Sequence, residues 1–97
     1  MTEDEATHAL AVALAQLCAD HGGQFRRPRP LFLHEVRCRL PHGHPLKYDA
    51  DACEVACLEV RWYLAEEFRV QFQRSTAPSG LPRLCVRLIR NFVPRTA

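Results

Sequence analysis

The spacing of apolar residues changes along this chain, and each change coincides with a glycine- or proline-rich break. Apolar residues recur every three or four positions in residues 3–21 and 50–68, as on one side of a helix. They alternate with polar residues in 31–40 and again from about 69 to 89, as in a strand with one buried face. The pattern predicts the element order α-β-α-β-β.

Both predicted helices begin with a capping-box pattern, Thr2 with Glu5 and Asp51 with Glu54. The first helix stops at Gly22, since glycine readily adopts the left-handed conformation that helix ends need. The second helix has a core stripe and, beside it, a further apolar row: Val55, Leu58, Trp62 and Ala65. A helix that is apolar over so much of its girth must bury more than one side, so this row requires cover from another helix or another subunit.

These elements predict an α+β fold, a two-layer sandwich with two helices on one face of a three-stranded, mostly antiparallel sheet. The last two strands form a hairpin around a loop at about 75–82. At 97 residues, 1–97 is expected to be a single domain. No run of eighteen apolar residues exists, so we expect no membrane association through a spanning helix. The acidic start of the chain does not resemble a targeting signal, which favours the cytoplasm.

Charge is segregated along the chain although the net charge is only +2. Acids dominate residues 1–21 and 48–68, whereas arginines dominate 22–47 and 69–97. Segregated charge steers association in a way that net charge alone does not. The candidate residues for contact with an anionic partner are Arg26, Arg27, Arg29, Arg37, Arg39, Arg69, Arg83 and Arg87.

Cysteine and histidine raise the question of a metal site or a nucleophile. The five cysteines are an odd number with mostly apolar neighbours, which is typical of free core thiols. On an extended strand, His34 and Cys38 would lie about 13 Å apart, too far for a thiol–imidazole pair. The other candidates are assigned to the core stripe (Cys53, Cys57) and to an exposed loop (His42, His44). We therefore predict no metal, no cofactor and no catalytic residues; a zinc-stabilised small domain is a further alternative.

The apolar row of the second predicted helix favours a protein interface. Trp62 and its neighbours in the row, together with the outward-facing Leu33, exceed what so small a monomer covers easily, and tryptophan is enriched at the energetic centres of interfaces. The prediction is a non-enzymatic adaptor or regulatory module that binds a protein partner, itself included, as a homodimer.

The alternative is a nucleic-acid-binding domain that uses the arginine-rich sheet face. The strand–helix–hairpin succession of residues 31–91 resembles, in element order, small RNA-binding α/β domains such as the C-terminal domain of bacterial translation initiation factor three. That sheet face lacks the aromatic residues on which bases stack in single-strand readers, so nucleic acid is the less favoured partner.

Overall fold

The computed structural model describes residues 1–59, 63–65 and 68–90, and these form an α+β fold with helices packed on a sheet. The α+β class and the helix-on-sheet packing are as predicted, but the order of the elements differs. In chain order the elements are α1 (Glu3–Asp20), β1 (Gln24–Pro28), α2 (Arg29–Cys38), α3 (Ala50–Glu59), β2 (Tyr63–Ala65), β3 (Phe68–Thr76) and β4 (Pro82–Arg90).

The sheet has the strand order β1-β4-β3-β2, and every neighbouring pair is antiparallel. The predicted hairpin is confirmed: β3 and β4 pair along their whole length, with Phe72 opposite Val86. Its turn contains Gly80 at φ +86°, a conformation that side chains with a Cβ rarely adopt. On the other side of β4, Val86 also pairs with Phe25 of β1, so β4 is one of the two inner strands of the sheet.

Helix α1 follows the prediction closely. The Glu5 backbone N–H donates to Thr2 Oγ1 at 3.2 Å, and the Thr2 hydroxyl donates in turn to the Glu5 carboxylate at 3.1 Å. The helix ends where expected: Gly22 has φ +76°, and the backbone N–H of Gly23 donates to the Cys18 carbonyl at 2.6 Å. Its apolar stripe is buried against the sheet and forms much of the core.

The strand predicted at 31–40 is wrong, because this segment forms helix α2. Its buried residues Phe32, Leu33 and Val36 follow helical spacing. Pro30 lies in the first turn, where a residue without an N–H costs nothing and a fixed φ favours helix. The strand lies instead at β1 (Gln24–Pro28), where the sequence pattern predicted no helix or strand. The resemblance in element order to RNA-binding α/β domains depended on this strand, so the structure does not support it.

The second predicted helix also differs from the structure. Helix α3 ends at Glu59, and residues 63–65 already belong to a strand. Its N-terminal cap is Asp49, whose Oδ1 accepts from the Ala52 N–H at 3.0 Å; the predicted capping box of Asp51 with Glu54 does not form. Both acids are instead turned toward arginines, as described below.

The core lies between the three helices and one face of the sheet. Phe32 of α2 links two strands, since its ring centroid lies 5.4 Å from that of Phe25 and 5.6 Å from that of Phe72. His44 was predicted to be exposed but is buried. Its Nε2 donates to the Ala6 carbonyl at 2.8 Å and its Nδ1 accepts from a backbone N–H, so the ring fastens the α2–α3 loop to α1.

Candidate functional site

The sheet face opposite the helices is here called the open face, since no helix of the described chain packs against it. Side chains alternate across a strand, and Leu84 and Val86 point into the core. Their odd-numbered neighbours on β4 and the residues paired with these point the other way. The residues of the open face whose side chains the structure describes are Gln24, Arg26, Pro28, Gln71, Gln73, Ser75, Arg83, Cys85, Arg87 and Ile89.

Three arginines give the open face its charge. Arg26 and Arg87 are exposed, and the half-buried Arg83 donates from Nε to the Ser75 hydroxyl at 3.4 Å. Arg26 pairs with Cys85, midway between Arg83 and Arg87 along β4. With about 3.4 Å per residue and about 4.8 Å between strands, the Cα of Arg26 lies roughly 8 Å from each of the other two. No carboxylate occupies this face in the part of the chain that the structure describes.

The centre of the open face is polar. Cys85 is buried there although it points away from the core, and the Gln24 amide donates to its Sγ at 3.3 Å. Apart from this thiol, the apolar side chains that the described residues place on the face are the half-buried Ile89 and the exposed Pro28, at opposite ends of β4. The face therefore offers guanidinium, amide and hydroxyl groups and no extended apolar surface.

Four of the predicted anion-contact residues lie elsewhere. Arg27 is on the opposite side of β1, with its guanidinium carbon 4.7 Å from the centroid of the Phe25 ring. Arg37 and Arg39 are on α2 rather than on a strand; Arg37 donates to backbone carbonyls, and Arg39 forms an ion pair with Asp20 at 2.7 Å. Arg29 opens α2 and is paired with acids of α3.

The remaining predicted anion contact, Arg69, lies on β3 and is paired with Ile89, a residue of the open face. The open-face arginines Arg26, Arg83 and Arg87 were all on the predicted list. The alternation on β3 and β4 located Arg83 and Arg87, whereas only the long-range pairing of β1 with β4 shows where Arg26 lies.

The predicted apolar interface is only partly on the surface. Val55 and Leu58 are exposed on α3, at 52% and 40%. Leu33 is 1% exposed in the core, so the prediction that it faces a partner is wrong. Ala65 lies in β2, and Trp62 lies outside the described residues.

A cluster of charges joins α2, α3 and β3, and the sequence analysis missed it. Glu54 is buried, and its carboxylate accepts from Arg29 Nε and, at 3.0 and 2.7 Å, from Arg74 Nε and Nη2. Arg29 also pairs with the exposed Asp51 at 2.8 Å. Burial alone would raise the pKa of Glu54, but the hydrogen bonds from the two arginines outweigh it and lower the pKa. These four residues form the Glu54 cluster.

The buried thiols differ in acidity: the pKa values of Cys18 and Cys57 are raised, whereas the hydrogen bond with Cys57 lowers the pKa of Cys53. Burial first, and the neighbouring Cys85 second, raise the pKa of Cys18 to about 11. Cys57 is hydrogen-bonded to Cys53 on the same face of α3, and that bond together with burial raises the pKa of Cys57. Within the Cys53–Cys57 pair, Cys53 is therefore the more acidic thiol.

One thiol–imidazole pair does exist, contrary to the prediction. Because residues 31–40 are helical, His34 and Cys38 lie one turn apart on α2, with 3.5 Å between Nε2 and Sγ. Both side chains are exposed. The described residues contain no group of three or more metal-ligating side chains. Among these residues, therefore, no third ligand lies beside the pair.

Comparisons with protein-family models, with characterised proteins and with solved structures find no significant match to this chain. None of the helices in the described residues is long and apolar enough to cross a membrane. The functional argument therefore rests on the geometry of the open face and of the surfaces around it.

Proposed function

We propose that this protein is a non-catalytic module that binds the phosphate backbone of nucleic acid, without sequence preference, through the open face of its sheet. The observation that carries the proposal is the triangle of Arg26, Arg83 and Arg87, surrounded by amides and a hydroxyl and free of carboxylates among the described residues. Arginine, glutamine and serine side chains are the groups that proteins use to contact phosphate oxygens.

The composition of the open face favours phosphate over a protein partner. A protein interface needs a desolvated apolar centre, whereas here the centre is Cys85 beneath the Gln24 amide. Interfaces with nucleic acid are more polar and much more positively charged. The absence of aromatic side chains from the described part of the face argues against base stacking and therefore for backbone contacts alone.

The acids of α1 and α3 reinforce this arrangement. Glu3, Asp4 and Glu5 are exposed in the first turn of α1, on the layer opposite the open face. A polyanion is repelled by that layer and attracted by the sheet, so the field orients the protein as it approaches. A protein of nearly neutral net charge can therefore bind a polyanion, because only its basic side faces the polymer.

The experiment is a salt titration of binding to a labelled single-stranded RNA of about 20 nucleotides, a length that exceeds one site of this size. Non-specific contacts of this kind give a dissociation constant of about 1–100 μM at physiological salt. With three phosphates neutralised, log K should fall against log salt with a slope of about −2, at roughly −0.7 per phosphate on a single strand.

Adjacent residues of β1 provide a matched pair of variants. Arg26→Gln removes a guanidinium from the open face and should weaken binding and reduce the slope by about 0.7. Arg27→Gln removes the same charge from the other side of the strand and should leave the slope unchanged. Equal effects of the two variants, or tighter binding of polyglutamate than of RNA, would contradict the proposal; the latter would indicate an acidic protein as partner.

A second candidate function is the protein-binding one, and the exposure of Val55 and Leu58 on α3 favours it. Exposed aliphatic side chains one turn apart suit a helix-to-helix contact with another copy of the chain. A homodimer held this way persists at high salt in light scattering, and Leu58→Lys dissociates it. A mass of 11.1 kDa at all salt concentrations would dismiss this candidate.

The proposed location is the cytoplasm. All five cysteines are free thiols, and free thiols persist in a reducing compartment. Nucleic acid is available there in single-stranded form.

A further inference from the structure

The exposed surface of α2 carries a pair of metal-binding side chains. His34 and Cys38 are separated by one helical turn, and neither belongs to the core or to the open face. Thiolate sulfur with imidazole nitrogen is a combination that zinc binds well. The pair is therefore independent of the arginines on which the proposed function rests.

The distance between the two donor atoms matches one edge of a zinc tetrahedron. With Zn–S of about 2.3 Å, Zn–N of about 2.05 Å and a tetrahedral angle, sulfur and nitrogen lie about 3.6 Å apart. The structure has His34 Nε2 and Cys38 Sγ 3.5 Å apart. A metal ion can thus bind both atoms with little side-chain movement, and the thiol proton is released when it binds.

Two ligands fill only half of a tetrahedral site, and the described residues supply no third. A second copy of the chain, related by a two-fold axis through the metal, would add the same two ligands and complete a Cys₂His₂ set. Leu31 lies on α2 one turn before the pair and is 57% exposed. It would be buried against the second copy, which gives the contact an apolar component.

We propose that His34 and Cys38 bind a zinc-class divalent ion that is shared between two copies of this chain. Each bound chain loses one thiol proton, since the metal ligand is the thiolate. Two thiolates balance the charge of the ion, so the shared site is electrically neutral. The metal then links two protomers through α2 and leaves both open faces free.

The test uses the full chain, stripped of metal by chelator and kept under a phosphine reductant so that no disulfide forms. Cobalt is titrated first, because tetrahedral cobalt absorbs strongly in the visible and its thiolate ligands add a charge-transfer band in the near ultraviolet. Zinc is then titrated with light scattering. The expected result is one ion per two chains and a mass that rises from 11.1 kDa to twice that value.

Variants identify the ligands. Cys38→Ser should remove the charge-transfer band and the dimer, and His34→Ala should weaken metal binding strongly; both residues are exposed, so folding should be unaffected. His42→Ala removes an exposed histidine of the α2–α3 loop and should change neither readout. The proposal fails if metal binding survives in Cys38→Ser, if one ion binds per monomeric chain, or if cobalt gives the weak spectrum of an octahedral site.

Discussion

Replacing Glu54 by glutamine should destabilise the fold far more than replacing its neighbour Asp51 by asparagine. Both acids pair with Arg29 and both lie on α3, but they differ in exposure: the Glu54 side chain is 8% exposed and that of Asp51 is 90% exposed. Glu54 also accepts two hydrogen bonds from Arg74 of β3. The two substitutions therefore compare a buried and an exposed ion pair at almost the same place.

The expected size follows from the contacts of the Glu54 cluster. Removing one partner of a buried ion pair costs about 3–5 kcal/mol, because the remaining charge is left without compensation. Arg74 is about half exposed and regains water when Glu54 is replaced, which lowers the expected cost to about 2–3 kcal/mol. In a domain of this size, that corresponds to a fall in Tm of roughly 10–20 °C.

The measurement is urea unfolding of wild type, Glu54→Gln and Asp51→Asn, at pH 7 and at successively lower pH. The lowered pKa of Glu54 means that its contribution is complete above its ordinary pKa of about 4.3 and is lost as the pH falls through the lower folded value. Glu54→Gln should remove that acid-dependent part of the stability. Equal losses for the two variants at pH 7, or an unchanged acid limb in Glu54→Gln, would refute this account of the cluster.

Two further predictions concern buried residues. Leu33→Ala should cost about 2–5 kcal/mol of unfolding free energy, because the side chain is in the core; a loss of self-association without loss of stability would instead restore its predicted interface role. The raised pKa of Cys18 implies that the folded state loses stability as the pH rises from about 8.5 toward 11, and Cys18→Ala should flatten this limb in alkaline unfolding curves; an unchanged limb would mean that the thiol does not titrate there.

The sequence predicted those elements whose pattern allowed a single interpretation. For α1, the apolar stripe predicted the helix, Thr2 predicted its start and Gly22 predicted its end. The alternation around Phe72 and Val86 likewise fixed the hairpin, and both elements are confirmed. Local spacing was sufficient in these segments because each repeated over enough residues to exclude the other period.

Residues 31–40 failed because their apolar residues fit both periods. Phe32, Val36 and Leu40 are four apart, which places them on one side of a strand and equally on one side of a helix. Pro30 carried the deciding information, since a proline in the first turn favours a helix that begins there. Because the segment was predicted as a strand, Arg37 and Arg39 were assigned to the sheet. For the same reason His34 and Cys38 were expected to be too far apart to interact.

The remainder of the candidate site depended on contacts between distant parts of the chain. Nothing local to Arg26 shows that β1 pairs with β4 and brings this residue beside Arg83 and Arg87. The Glu54 cluster likewise joins α2, α3 and β3. Glu54 is 25 residues from Arg29 and 20 residues from Arg74 along the chain. Such pairings follow from the way the layers assemble, and a pattern of period two or 3.6 does not encode them.

Two groups of arginines among the described residues differ in their surroundings. On the side of the sheet that faces the helices, Arg29, Arg39 and Arg74 each lie against a carboxylate, so their charge is neutralised within the fold. On the open face, Arg26 and Arg87 have no carboxylate partner among the described residues. The acids of the described residues lie on α1, α2 and α3 or, for Asp49, in the loop before α3, and none lies on the open face. Unneutralised charge destabilises a compact state by self-repulsion, and binding an anion would relieve that repulsion. The arrangement of the acids therefore supports phosphate binding more strongly than the number of arginines does.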